Sequence, residues 1–147
     1  MTREIVQKFA ILSVLILIQF SCANNDEANH TSISIKELVR TSKSWDGKVL
    51  VPYSQGQPEI TILKISIPAG ARLETHSHPV INAGVLVSGE LTVNTTDGKV
   101  LRLKAGDPIV EVVNTLHYGI NEGTVPAEIV VFYAGIVGQA VAVAEQP

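Results

Sequence analysis

From Lys48 onward the chain alternates short apolar runs with turn signals. The runs Val49–Val51, Glu59–Ile67, Ile81–Val87, Glu90–Thr95, Lys99–Leu103, Ile109–Val113 and Glu128–Ala134 are rich in Val, Ile and Thr. Those residue types suit a half-buried pleated surface and predict strands. Pro68-Ala69-Gly70, Lys104-Ala105-Gly106-Asp107-Pro108 and Asn121-Glu122-Gly123 break the runs. Asp97-Gly98 predicts a hairpin with a type I′ turn, whose two central residues both need positive φ. Residues 135–147 are apolar but glycine-broken, and the alternation of Val137, Gln139, Val141 and Val143 predicts a final edge strand. Many short strands without long helices between them predict an all-β sandwich or barrel.

One short helix is expected ahead of the strands. Ser34 and Glu37 fit a capping box, and Ile35, Leu38 and Val39 would share one face. It would end near Ser42 to Trp45, before the turn signal Asp46-Gly47, leaving a lid or brace packed on the domain. Trp45 and Tyr53 are expected to brace the barrel or, as the alternative, to rim its pocket.

The N-terminus reads as an address. Arg3 and Lys8 precede the apolar run Phe9–Ile18, which is shorter than the ~20 residues a membrane span needs. Basic residues, a short apolar stretch and then small residues form a secretory signal over residues 1–21. Gln19-Phe20-Ser21-Cys22 resembles a bacterial lipobox, with Gln19 standing where leucine is usual. That resemblance implies a lipid anchor at Cys22, the only expected membrane attachment, on an exported protein of the bacterial cell envelope, periplasmic or membrane-anchored. Residues 22–33 are polar, include His30, and read as a tether; residues 34–147 form the domain, with its barrel core at about 48–135.

Composition narrows the function. A net charge of −3 with no basic cluster, and 5% aromatics, leave no footprint for nucleic acid. One cysteine in the whole chain excludes an internal disulfide. No Ser-His-Asp arrangement, phosphate loop or CxxC motif occurs.

Three histidines stand out. His76 and His78, at i and i+2 of an extended segment, project from one face. Met by His117 from another strand, they make a metal site with open positions. Their surroundings form two spaced motifs. The first runs Gly70, His76, His78, then Asn82, then Gly89; the second runs Gly106, Val112, Asn114, His117 and Asn121. In both motifs the chain resembles a small single-domain bacterial cupin. Asn82 stands where that family has glutamate, Val112 where it has proline and Asn114 where it has glycine.

The resemblance implies a double-stranded β-helix, or jelly-roll barrel, with a divalent transition metal (Fe, Mn, Zn or Ni) at its mouth on His76, His78 and His117. It implies a small-molecule substrate or ligand and a homodimer. Asn82 offers only a neutral oxygen, so three imidazoles would leave the metal's charge uncompensated. Asn82 and Glu111 are the candidate catalytic residues: Asn82 as a ligand or as a polar residue that hydrogen-bonds a ligand histidine or water, and Glu111 as a base or as a neighbour that tunes the site. Glu111 alternates with Ile109 and Val113 and is expected inward or solvent-facing, Glu90 exposed, and Tyr118 turned away as packing. Two function classes follow, a metal-dependent enzyme of the dioxygenase or oxidoreductase kind and a non-catalytic envelope barrel that binds a small ligand, with a third behind them, a scaffold or dimerisation domain with a vestigial metal.

Overall fold

Alternating inward and outward side chains build two facing sheets. In the computed structural model, residues 32–146 are described. The expected signal segment, Cys22, His30 and the expected tether up to Thr31 lie outside the described residues. Residues from Ile35 onward belong to one folded unit. Its strands among the described residues are β1 (Pro58–Ile67), β2 (His76–Ser77), β3 (Ile81–Ser88), β4 (Glu90–Thr95), β5 (Val100–Lys104), β6 (Pro108–Val110), β7 (His117–Ile120), β8 (Ala127–Ile136) and β9 (Val143–Ala144). One sheet has the order β1-β8-β3-β6 and the other β5-β4-β7-β2-β9. Every strand pairing is antiparallel.

The core lies between the sheets. β8 turns Ala127, Ile129, Val131 and Tyr133 inward, and all four are buried. Leu86 from β3, Leu91 and Val93 from β4, and Ile109 from β6 meet them. Each fully buried aliphatic side chain of this kind stabilises the fold by about 1.5–3 kcal/mol. Trp45 packs against this cluster and its backbone N–H donates to the Val110 carbonyl at 2.9 Å, so it braces the barrel as expected. Tyr53 does not; it is 72% exposed.

The expected strands from Glu59 to Leu103 and from Glu128 to Ala134 form with boundaries shifted by a residue or two. Ile109–Val113 forms only as Pro108–Val110, because residues 111–113 leave the sheet; the Val113 backbone then bridges to His78 in parallel. Val49–Val51 is not a strand, and Val49 makes a single bridge to Lys43.

Two expectations are corrected. Residues 32–40 are not helical. Ile35 is 91% exposed and Leu38 and Val39 are 46% and 47% exposed, so the apolar stripe buries too little to hold a short helix, which is marginal in water without packing. Glu37 instead pairs with Arg40 at 2.6 Å on the surface. The β4–β5 hairpin is not type I′ either. Gly98 has φ of 92° while Asp97 is not in the positive-φ region, and the Thr95 N–H donates to the Lys99 carbonyl at 3.0 Å. The result is a three-residue loop with glycine in the left-handed position, a geometry that also matches strand twist.

The loops at the motif positions carry special backbone. Gly89 has φ of 74°, and a Cβ there would lie 2.7 Å from the Pro126 carbonyl oxygen. Asn114 is the one non-glycine residue with positive φ among those described, at 52°. Asparagine tolerates that region, which is why it serves where glycine is the usual residue.

Candidate metal centre

Sheet pairing delivers the three histidines. His76 on β2 is the register partner of His117 on β7. His78 follows β2, where its backbone bridges to Val113 and its carbonyl accepts the Asn114 N–H at 2.8 Å. The three rings form a near-equilateral triangle, with centroids 4.9, 4.5 and 4.9 Å apart. One ring nitrogen of each lies within 4.8 Å of those of the others, a group that could hold a metal ion.

The hydrogen bonds fix which nitrogen is offered. The Nδ1 atoms of His76, His78 and His117 each lie 2.8 Å from a backbone carbonyl, of Glu74, Val141 and Thr115 respectively. A carbonyl only accepts, so each Nδ1 carries the proton and donates. Each neutral ring is left with its lone pair on Nε2. Backbone partners of this sort set ring orientation and basicity in metal sites. Burial pushes the His78 imidazole down to about 4, and burial likewise lowers His117, so both rings are neutral at physiological pH. Neutral imidazoles with inward lone pairs fit a divalent transition metal.

Around the triangle lies a cavity of about 40 Å³ walled by Ile65, Leu73, Leu91, Val93 and Val131. It opens outward into a shallow groove of about 410 Å³ bordered by Leu63, Glu74, Val141 and Ala144. Tyr133 lines both, its ring 5.5 Å from that of His78, and burial raises its hydroxyl pKa.

Asn82 and Glu111 both face this cavity. Asn82 is 1% exposed, and neither its Oδ1 nor its Nδ2 has a partner. Glu111 is 8% exposed, its Oε2 lies 3.8 Å from His117 Nε2, and that oxygen accepts no hydrogen bond. Burial pushes its carboxyl up to about 7, against weaker opposing pulls from the Trp45 indole and other neighbours. No hydrogen bond closes between Trp45 Nε1 and Glu111 Oε2. Polar atoms buried without partners imply a polar occupant between them.

Other expected roles sort cleanly. Glu90 is exposed. Tyr118 packs outside the pocket, with the Arg72 guanidinium 3.8 Å from its ring centroid. Asn121 is fully buried and structural: its Nδ2 donates to the Ile67 and Val125 carbonyls, and its Oδ1 accepts from the Gly123 N–H.

Sequence reasoning missed the contribution of the C-terminal segment. The Val141 carbonyl anchors His78, and β9 pairs with β2 beside His76. The alternation over residues 137–143 was the available signal for an edge strand, but nothing in it pointed to the site.

The family model of the cupin domain matches residues 63–133, the segment that carries all three histidines. Residues 63–133 of the chain thus form a cupin domain. Its structure resembles an uncharacterised double-stranded β-helix protein from Klebsiella pneumoniae, at 26% identity and a TM-score of 0.51, covering 65% of this chain and 91% of that one. It is also similar to a DMSP lyase from Ruegeria pomeroyi DSS-3 (22% identity, TM-score 0.53, covering 60% of this chain and 44% of that one). An oxalate decarboxylase from Lactobacillus farciminis, solved with formate, gives 21% identity and a TM-score of 0.52, covering 58% and 26%. The chain thus spans less than half of either enzyme, and these two likenesses concern the fold. No curated protein sequence matches the chain.

Proposed function

We propose that this cupin binds one divalent transition metal on His76, His78 and His117 and acts on a small molecule there. The observation that carries the reading is the shared hydrogen-bond pattern: three Nδ1 atoms, each 2.8 Å from a backbone carbonyl, leave three Nε2 lone pairs for one ion. When bound, such a metal supplies Lewis acidity and, if it is iron or manganese, redox chemistry with oxygen.

The chain's own residues do the rest. Ile65, Leu73, Val93 and Val131 exclude bulk water from the inner cavity, which strengthens polar interactions there. The groove bordered by Leu63 and Val141 admits a small, partly apolar molecule, and Tyr133 stands where groove and cavity meet. Asn82 offers a donor and an acceptor to whatever enters. An oxygen-using oxidoreductase is the first activity to seek.

A second reading, capture of a small ligand without turnover, is favoured by the inner cavity of about 40 Å³, which leaves little room beyond the metal and a few atoms. The test is an oxygen-uptake screen of the iron-loaded protein against small thiols, diketones and carboxylic acids, run beside calorimetric binding of the same compounds. Uptake with one compound class supports the enzyme, and binding without turnover moves the assignment to the ligand-capturing barrel. Export and a lipid anchor at Cys22 remain part of the proposal and rest on residues 1–22.

A further inference from the structure

The inner wall of the cavity brings together two polar side chains, Asn82 on β3 and Glu111 just after β6. The Glu111 backbone N–H donates to the Asn82 carbonyl at 3.1 Å, so the two side chains stand side by side. Both are more than nine-tenths buried and both keep polar atoms without a partner. A buried carboxylate oxygen left alone is costly, and fold stability gives no reason to keep one.

Among the described residues, the one basic group within 4 Å of the Glu111 carboxylate is His117, whose Nε2 is 3.8 Å from Glu111 Oε2, too long for a hydrogen bond. Two donors on one ion, each with a bond of ~2.1 Å, stand at most ~4.2 Å apart, so the 3.8 Å between Glu111 and His117 is within reach of a shared ion. The atoms already within 4.8 Å of one another are those of the three rings alone, so the carboxylate must swing toward His76 and His78 to join them. Three imidazoles bring no charge to a divalent ion, and neither does Asn82. Glu111 is the only carboxylate lining this cavity among the described residues.

We propose that Glu111 is the fourth protein ligand of the ion held by His76, His78 and His117. The centre is then three nitrogens and one hard oxygen, the carboxylate coming from the segment after β6 and not from position 82. The carboxylate halves the charge of the ion and shifts preference toward iron and manganese, which accept oxygen donors readily. Asn82 is left free to hydrogen-bond a water or substrate atom at an open position. The inference rests on the metal reading above.

The test uses the full-length chain, stripped by chelation and titrated with Co(II), whose visible bands report the ligand set. The wild type should bind one Co(II). Glu111→Gln, which keeps size and removes charge, should weaken binding roughly 100-fold or more, since loss of a mere orienting partner already costs about 10- to 100-fold, and should shift the visible bands. Adding Asn82→Glu to Glu111→Gln should recover most of the affinity, because the carboxylate returns from the adjacent position. This double variant also decides the matter should Glu111→Gln alone fold poorly by circular dichroism. A folded Glu111→Gln protein with wild-type affinity and unshifted bands would overturn the Glu111 assignment while leaving the three-histidine site intact. A wild-type protein that takes up no Co(II) would overturn both.

Discussion

His76 and His117 are register partners on adjacent antiparallel strands, and their rings stand 4.5 Å apart. The pair is therefore set by sheet pairing, with orientation fixed by the Glu74 and Thr115 carbonyls. A site prepared this way loses little entropy on binding an ion. Replacing either histidine removes one of three imidazoles and leaves the strands paired. His76→Ala or His117→Ala should each lose stoichiometric metal after dialysis, read by elemental analysis, while the far-ultraviolet spectrum stays that of the wild type. Full retention of metal in both variants would refute the assigned ligands.

Acid should remove the metal and then the fold. Ligation needs neutral imidazoles, so competition by protons should empty the site below about pH 6. In the metal-free protein, His78 is pushed from 6.5 down to about 4 by burial, and His117 shifts the same way. The unfolded chain then takes up those protons first, so their contribution is whole above 6.5 and is lost as pH falls toward 4. Glu111 runs opposite: raised from 4.5 to about 7, it favours the fold below 4.5 and loses that contribution as pH rises to 7. With two histidines against one carboxylate, the urea midpoint of the metal-free protein should fall from pH 6.5 to 4.5. It should also decline slightly between 6.5 and 7. A midpoint that rises on acidification would contradict these assignments.

The C-terminal segment should matter for the site more than for the fold. β9 is two residues long, yet the Val141 carbonyl holds His78 and the Glu145 N–H donates to the Thr75 carbonyl at 2.9 Å beside His76. Removing residues 138–147 should weaken metal binding roughly 10- to 100-fold, as loss of an orienting partner does elsewhere. The thermal transition should remain cooperative. Unchanged affinity in the truncated chain would show that the Val141 carbonyl is dispensable.

Gly89 and Gly70 share a left-handed backbone but differ in their surroundings. A Cβ at Gly89 would meet Pro126 O at 2.7 Å and Ala127 Cα at 2.8 Å, while one at Gly70 would meet nothing within 4 Å. Gly70→Ala should cost about 1 kcal/mol from backbone strain alone. Gly89→Ala should cost clearly more, about 2 kcal/mol or above, since backbone atoms cannot give way. Urea unfolding of the two variants measures the difference, and equal losses would count against the close approach.

Much of the barrel could be read from the chain because β3, β4, β5 and β8 are short runs, mostly rich in β-branched residues, between turn signals. β2 and β7 could not, being two and four residues long, yet they carry His76 and His117. The two motifs located those residues when periodicity could not. The helix over Ser34–Val39 failed for the converse reason: a local capping pattern was present, but no surface received its apolar side. Glu111 was left undecided between core and solvent because residues 111–113 leave the sheet, and alternation no longer tells which way a side chain points. The role of Val141 is a backbone contact at long range, which side-chain patterns do not encode.

The most direct measurement is the metal content of the protein purified without a metal-binding tag, before and after reconstitution with Fe(II), Mn(II), Zn(II) and Ni(II). The account predicts about one equivalent per chain, lost in His117→Ala. A chain that holds no metal under any of these conditions would contradict the central claim.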